Sequence, residues 1–119
     1  MPAPIAIIDF ETTGSTPAQG ARATEVAVVL VEGGRVVDQF QSLMNAGVRI
    51  PPFITQLTGI TNAMVANAPP AAEVMAQARR FVGDTPLVAH NAPFDRGFWQ
   101  SELARANCDA PQPFACTVR

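Results

Sequence analysis

The stretch PIAIIDFETTG, at residues 4–14, constrains the fold most, because it joins an apolar strand to two carboxylates. Residues 4–9 show no polar alternation, which predicts a strand buried on both faces. Side chains on a strand alternate between its faces, so Asp9 and Glu11 are expected on one side, about 7 Å apart. A proton, a basic side chain or a divalent cation can relieve the repulsion between them. The alternative is a strand end that simply exits into water, with Asp9 as a turn former, and D-x-E alone favours that alternative.

Length and composition set the broad class. The 119 residues fit one domain, which we predict to span residues 1–119. The net charge of −2 provides no overall basic field for a polyanion. Cys108 and Cys116 lack the spacing of a zinc site or a disulfide framework, which predicts small reduced core residues. The N-terminal apolar stretch has no basic flank and is too short for a signal peptide or a membrane span, so we expect a cytoplasmic protein without a membrane partner.

The apolar pattern predicts three antiparallel strands and then strands separated by helices. The second and third strands, at 25–31 and 35–43, meet at Gly33–Gly34, a pair that suits a tight hairpin turn. The later elements are a short helix at 53–57, a helix after Pro70 that ends at Gly83, a strand at 86–90, a helix at 92–107 and a last strand in PFACTVR. This α/β order indicates a mixed sheet with helices packed on it.

The helix at 92–107 is predicted to have one apolar and one polar side. Phe98 and Trp99 are expected in the core. Arg96, Glu102 and Arg105 are expected to meet water.

The stretch LVAHNAPFD repeats the arrangement of a short apolar strand, polar residues and then a helix. Asp95 lies in the first turn of that helix, where an acid also offsets the helix dipole. Asn91 could cap the helix, and His90 could be an ordinary residue at the strand end. If both strands end at one edge of the sheet, Asp95 joins Asp9 and Glu11 there. Three acids at one edge indicate a site for Mg²⁺ or Mn²⁺.

These residues carry a family resemblance. IDFETTG resembles the first motif of the DnaQ-like, DEDD-type 3′–5′ exonucleases, the group that contains the proofreading epsilon subunit of bacterial DNA polymerase III. VAHNAPFD resembles the second motif, and NAGVRIPPFITQLTGITNAMVANAPP resembles the segment that links the two. The resemblance extends over about residues 5–119.

The resemblance implies a ribonuclease H-like fold, with a five-stranded mixed sheet flanked by helices. It also implies phosphodiester hydrolysis with two Mg²⁺ or Mn²⁺ ions. Asp9 would bridge both ions, Glu11 would hold the first, and Asp95 would act at the second. These three residues are the expected catalytic and metal-binding residues.

The resemblance further implies residues around the terminal nucleotide: Phe10, Thr12, Thr13, Leu57, Thr58, Ile60, His90, Asn91 and Phe94. The backbone N–H groups of Thr12 and Thr13 are expected to be free for the nucleotide, although a plain turn of β-branched residues is an alternative. The side chain of Phe10 is expected to face the core. Leu57 is either a residue that packs on the base or an ordinary core residue.

The chain departs from the family pattern after Asp95. The family needs a third motif, a His or Tyr followed by a final Asp, and no His or Tyr follows Asp95 here. We therefore expect a chain truncated before that motif, with the C-terminal helices of the fold missing. We expect the parent protein to be an exonuclease of the DEDDh type, in which the third motif begins with His. The fragment by itself is expected to be nearly inactive.

The leading hypothesis is a 3′–5′ exonuclease acting on DNA, with a possible proofreading role for a DNA polymerase. One alternative is a non-catalytic module of the same fold that binds a nucleic-acid end or a polymerase. The other is an RNA exonuclease similar to oligoribonuclease or RNase T, and the sequence leaves DNA and RNA undecided. An uncovered sheet face would also favour a homodimer.

Overall fold

The computed structural model describes residues 3–117 and confirms the predicted mixed sheet. Its five strands lie in the order β3-β2-β1-β4-β5. Strand β1 is antiparallel to β2 and parallel to β4, which places it at the centre of the sheet. The elements are β1 (Ile5–Thr12), β2 (Ala23–Glu32), β3 (Arg35–Leu43), α1 (Pro52–Thr58), α2 (Asn62–Ala66), α3 (Ala71–Val82), β4 (Leu87–Ala89), α4 (Ala92–Arg105) and β5 (Phe114–Cys116).

The hairpin between β2 and β3 forms where the glycine pair predicts it. Gly33 and Gly34 have φ values of 60° and 76°. Side chains with a Cβ rarely adopt such values, and consecutive positive φ angles match the twist of the flanking strands. Helix α1 also ends as predicted, at Gly59, whose N–H donates to the carbonyl oxygen of Thr55.

The main core lies on one face of the sheet, beneath α3 and α4. Buried side chains from the strands and both helices form one cluster: Ala6, Ile8, Phe10, Val26, Val28, Val74, Met75, Ala78, Leu87, Phe98, Trp99 and Leu103. Trp99 is fully buried and donates its indole N–H to Gln112 at 3.0 Å. The predicted core positions of Phe98 and Trp99 are therefore confirmed.

The prediction that residues 4–9 are buried on both faces is wrong. Burial alternates along β1, so that Ile8 is 2% exposed and Ile7 is 41% exposed. Among the described residues, the two long helices cover only the face that carries Ile8. The other face, which also carries Asp9 and Glu11, stays open around Ile7. We call it the open face of the sheet.

The remaining differences concern small elements and the cysteines. A 3-10 turn at Pro17–Gln19 and the five-residue helix α2 are too short to show apolar periodicity. Both cysteines are free, but Cys116 is exposed rather than in the core, because it ends the edge strand β5. The predicted last strand is Phe114–Cys116, and residues 118–119 of PFACTVR lie outside the described residues. Within residues 3–117, no helix combines the length and hydrophobicity needed to cross a bilayer.

Candidate active site at the end of the central strand

The central strand places two acids near its carboxyl end, on the open face. Asp9 and Glu11 lie within the last four residues of β1, so the strand continues to Thr12 rather than ending before them. Asp9 is exposed and Glu11 is partly buried. Their side chains alternate with those of Ile8, Phe10 and Thr12, which point into the core. The same-side placement predicted from strand geometry follows from this alternation.

Asp95 reaches the same strand from helix α4. Its carboxylate is 3% exposed, and Oδ1 accepts a hydrogen bond from the backbone N–H of Phe10 at 3.2 Å. That N–H is available because β4 is short and pairs with β1 only at Ala6 and Ile7. The early end of β4 therefore leaves room for α4 to bring its acid to the central strand.

Negative charges at this site affect the pKa values of Glu11 and Asp95. The pKa of Asp95 is raised from 3.8 to about 6, mainly by burial and also by the negative charge of Asp9. The hydrogen bond from the Phe10 N–H and the charge of His90 act in the opposite direction. Burial also raises the pKa of Glu11, with added contributions from the charges of Asp9 and Glu25. The charge of Asp9 therefore contributes to the raised pKa of both Glu11 and Asp95.

Glu25 is a fourth acid that the sequence reasoning missed. It pairs directly with Glu11 across β1 and β2, on the same face of the sheet. Its carboxylate accepts a hydrogen bond from the Gln41 side chain at 3.1 Å. The signal that could have found it is the register of the first hairpin, because like charges seldom stand opposite each other in a sheet without a reason.

The donor chemistry of this site suits a hard divalent cation. Carboxylate oxygens are the ligands that Mg²⁺ and Mn²⁺ prefer, and the pKa values of Glu11 and Asp95 are raised mainly by burial and by the charge of Asp9. Among residues 3–117, however, no three His, Cys, Asp or Glu side chains already stand in the arrangement of a metal site. The carboxylates of Asp9 and Glu11 would have to move closer to that of Asp95 to share an ion with it. Asp9 is exposed, which allows a change of rotamer, whereas Glu11 is partly buried.

The turn after β1 is held by its own hydrogen bonds. The Thr12 hydroxyl donates to the carbonyl oxygen of Gly14 at 2.7 Å. The Thr13 N–H donates to the carbonyl oxygen of Arg22 at 2.9 Å, and the Thr13 hydroxyl oxygen accepts from the N–H of Arg22 at 3.0 Å. The expectation of a free Thr13 N–H is wrong, because the β1–β2 connection uses it.

A groove of about 480 Å³ lies beside Glu11, the one of these acids in its lining. It is lined by Phe10, Glu11, Thr12, Gly14, Ser15, Phe53, Ile54, Leu57, Thr58 and Phe94. Leu57 is 80% exposed, so the alternative of an ordinary core residue is wrong. Phe53, one turn earlier on α1 and 67% exposed, is a lining residue that the sequence reasoning missed. Phe10 borders the groove although it is 3% exposed, as its core position predicts.

Three predicted substrate residues lie outside this groove. Ile60 is 5% exposed and packs with Ile50 and Val65 beneath α1 and α2. His90 and Asn91 line a separate cavity of about 420 Å³. Five of the nine predicted substrate residues line the groove, namely Phe10, Thr12, Leu57, Thr58 and Phe94. Thr13 lies in the turn next to it and is not part of the lining.

Glu102 is the largest error in the sequence reasoning about α4. The helix pattern predicts that it meets water, but it is 1% exposed. Its two carboxylate oxygens lie 2.9 Å from Nε and Nη2 of Arg22. A paired guanidinium makes the burial of this charge possible, and pattern analysis of a single helix cannot reveal a partner 80 residues away.

The fold and the acids at the end of β1 define a ribonuclease H-like domain. Solved structures of exonuclease I share this fold: the apo enzyme matches with a TM-score of 0.85 at 18% identity, over 98% of this chain and 29% of that one. The metal-free E. coli ExoI–ssDNA complex matches with a TM-score of 0.84 at 16% identity, over 97% of this chain and 28% of that one. At this identity the likeness shows the fold.

The family follows from the sequence comparison. Residues 6–119 match the model of the RNase_T exonuclease family, and the chain belongs to that family. Relatives include the 3′–5′ exonuclease DinG of Bacillus subtilis (strain 168), 39% identical over 88% of this chain. A DNA polymerase III subunit epsilon-like protein of Rhodobacter capsulatus is 42% identical over 88% of this chain. The chain spans only 11% and 16% of the lengths of these two relatives.

Proposed function

We propose that this chain is the carboxylate-bearing part of a 3′–5′ exonuclease that shortens DNA from its 3′ end. The observation that carries the proposal is the electrostatic coupling of Asp9, Glu11 and Asp95 at the carboxyl end of the central strand, beside an apolar groove. Partly buried carboxylates that raise one another's pKa are costly to keep ionised, and a bound cation offsets that cost. Membership of the exonuclease family supports the same reading.

Asp9, Glu11 and Asp95 would hold two Mg²⁺ or Mn²⁺ ions. When bound, the ions would activate water and stabilise the charge that develops on the phosphate and the departing 3′ oxygen. In the reaction, water adds to phosphorus and the P–O3′ bond breaks. The chain contributes the negative charge that concentrates cations at this point, and it orients Asp95 through the hydrogen bond from Phe10.

The groove supports the choice of an unpaired nucleotide as the substrate group. Leu57 and Phe53 present apolar surface on α1, and Phe94 faces the groove from the start of α4. Apolar packing and stacking accept any base, because every base has a π-face. Such walls suit an enzyme that removes nucleotides without regard to sequence. DNA is proposed over RNA because the relatives include a DNA polymerase III epsilon-like protein.

We also propose a DNA polymerase as the partner, for which the exonuclease would serve as a proofreading activity. Relatives of this chain include DNA polymerase III PolC-type of Clostridium perfringens (strain 13 / Type A), 38% identical over 94% of this chain and 8% of that protein.

A non-catalytic module that binds nucleic-acid ends is the second candidate. It is favoured by the absence of three pre-arranged His, Cys, Asp or Glu ligands among the described residues. We propose accordingly that this chain alone binds a 3′ end in the presence of Mn²⁺ and hydrolyses it very slowly.

The experiment compares linear and circular single-stranded DNA of equal length. Fluorescence anisotropy with Mn²⁺ should show tighter binding to the linear strand, and Asp9→Asn should remove the difference. A 5′-labelled linear strand, incubated for hours, should shorten only from its 3′ end, if at all. Equal affinity for the circle, or cleavage of the circle, would contradict an exonuclease. Binding that prefers the linear strand but does not depend on Mn²⁺ or Asp9 would favour the non-catalytic module.

A further inference from the structure

A buried ion pair lies outside the proposed catalytic residues. Arg22 and Glu102 form a two-pronged contact with both nitrogen–oxygen distances at 2.9 Å. The Glu102 side chain is 1% exposed and that of Arg22 is 13% exposed. Charged side chains are seldom buried to this degree unless they serve as partners for each other or for a ligand.

The pair connects three separate segments of the fold. Glu102 belongs to α4, and its Oε2 also accepts a hydrogen bond from the backbone N–H of Ala23, at the start of β2, at 2.9 Å. Arg22 also donates from Nη1 to the carbonyl oxygen of Ala46 at 3.2 Å, in the connection between β3 and α1. The ion pair therefore fixes α4 against the beginning of β2 and against the connection that leads to the groove helix α1.

The main chain of Arg22 carries this constraint to the turn after β1. Arg22 and Thr13 exchange two hydrogen bonds, at 2.9 and 3.0 Å. The register of β1 against β2 shifts between Glu11 and Thr12, and beyond this irregularity Thr12 pairs with Ala23. The two bonds between Thr13 and Arg22 continue the pairing after the shift. The position of Thr13 thus depends on where Arg22 is held.

The same pair also fixes the helix that carries Asp95. Glu102 follows Asp95 by seven residues, which is about two helical turns, so both side chains lie on one side of α4. Each accepts a hydrogen bond from a strand N–H, Asp95 from Phe10 and Glu102 from Ala23. Helix α4 is therefore attached to the two central strands at two points on the same side.

We infer that Arg22 and Glu102 are positioning residues, which hold Thr13 in the turn after β1 and Asp95 on helix α4 at their places beside the end of the central strand. Buried ion pairs are poor stabilisers, because apolar side chains of similar size often replace them without loss of stability. Planar guanidinium and carboxylate groups instead impose a definite geometry. What they hold here is the turn after β1 and the acid of α4.

The test replaces both charges at once. In Arg22→Met/Glu102→Gln, no charge is left unpaired, and the introduced glutamine keeps an acceptor for the Ala23 N–H. The matched control is Arg79→Met/Asp109→Asn, which removes a second ion pair, of 3.1 Å, in which Arg79 is partly buried and Asp109 is exposed. Neither residue lines the groove. Arg22→Lys is a second variant that preserves the charge, so it folds, but an ammonium cannot reproduce the two-pronged contact.

Two readouts separate positioning from plain stability. Hydrogen exchange of the Thr13 amide, measured by NMR without ligand, should accelerate at least about tenfold in the double variant while the rest of the sheet stays protected. The affinity for Mn²⁺ with thymidine 5′-monophosphate should fall about tenfold, as is common when residues that orient ligands are changed. Arg22→Lys should show both effects at reduced size, and the control should show neither.

The inference rests on the proposed function only for the binding readout. Unchanged Thr13 exchange in a folded double variant, or in Arg22→Lys, would overturn it whatever the chain binds. Faster Thr13 exchange with no binding of Mn²⁺ by the wild-type chain would support the positioning pair and contradict the proposed function instead. If the double variant does not fold, the exchange rate in Arg22→Lys decides the matter.

Discussion

Replacing Asp95 with asparagine is expected to stabilise the metal-free chain at neutral pH. The asparagine Oδ1 can still accept the hydrogen bond from the Phe10 N–H, so the geometry of the contact is preserved. The change removes a negative charge that is 3% exposed and lies near Asp9. A buried carboxylate that gains stability from such a substitution is one kept for function rather than for the fold.

The magnitude follows from the shift of the pKa. In the folded chain the pKa of Asp95 rises from 3.8 to about 6. The folded state thus binds the proton more tightly than the unfolded state, and the free energy of unfolding falls as the pH rises between these values. The shift corresponds to about 3 kcal/mol above pH 6, which is the upper limit of the gain in Asp95→Asn. Below about pH 4 the wild-type carboxyl is protonated in both states, and the gain should vanish.

Urea unfolding in the presence of EDTA measures the free energy of unfolding at neutral pH, where the gain is expected, and near pH 4, where it should vanish. Asp84→Asn is the matched control, because Asp84 is an exposed aspartate in the turn after α3. The reasoning is refuted if Asp95→Asn destabilises the chain at neutral pH, or if its effect is equal at both pH values. Adding Mn²⁺ should reduce the difference in the free energy of unfolding between Asp95→Asn and the wild type, because only the wild type gains stability from the ion.

The affinity for Mn²⁺ should rise from about pH 5 to about pH 7, because Glu11 and Asp95 must lose their protons to bind a cation; a flat profile in calorimetry would contradict a carboxylate site. Phe53→Ala should weaken binding of thymidine 5′-monophosphate about tenfold through lost stacking, and should leave Mn²⁺ binding unchanged. The control Val36→Ala removes an equally exposed apolar side chain on β3, and an equal loss in both variants would exclude a specific role for Phe53. In sedimentation velocity the chain should form a homodimer through the open face, with Ile7→Thr shifting it toward the monomer; a monomeric wild type would contradict this.

The elements set by local chemistry could be predicted from the sequence. The Gly33–Gly34 turn and the end of α1 at Gly59 require positive φ angles. Glycine adopts such angles readily, so its presence in the sequence predicts both features. The predicted separation of antiparallel strands from helix-linked strands is likewise confirmed by the sheet order. The family resemblance is confirmed over residues 6–119.

The errors concern features that depend on partners distant in the chain. The helix pattern places Glu102 in solvent because its guanidinium partner lies 80 residues earlier. The apolar run places Ile7 in the core because such a strand does not show which of its faces is covered. The exposure of Phe53 and Leu57 depends on how α1 sits beside the end of β1, which no periodicity in a seven-residue helix can report.

The metal-binding roles of Asp9, Glu11 and Asp95 remain a prediction, and titration of the chain with Mn²⁺ by calorimetry tests them most directly. Wild type, Asp9→Asn and Asp38→Asn are compared near neutral pH, with Asp38 as an exposed aspartate on β3. The account predicts saturable Mn²⁺ binding that Asp9→Asn abolishes and Asp38→Asn preserves. Binding that survives Asp9→Asn unchanged would contradict a cation site at the end of the central strand.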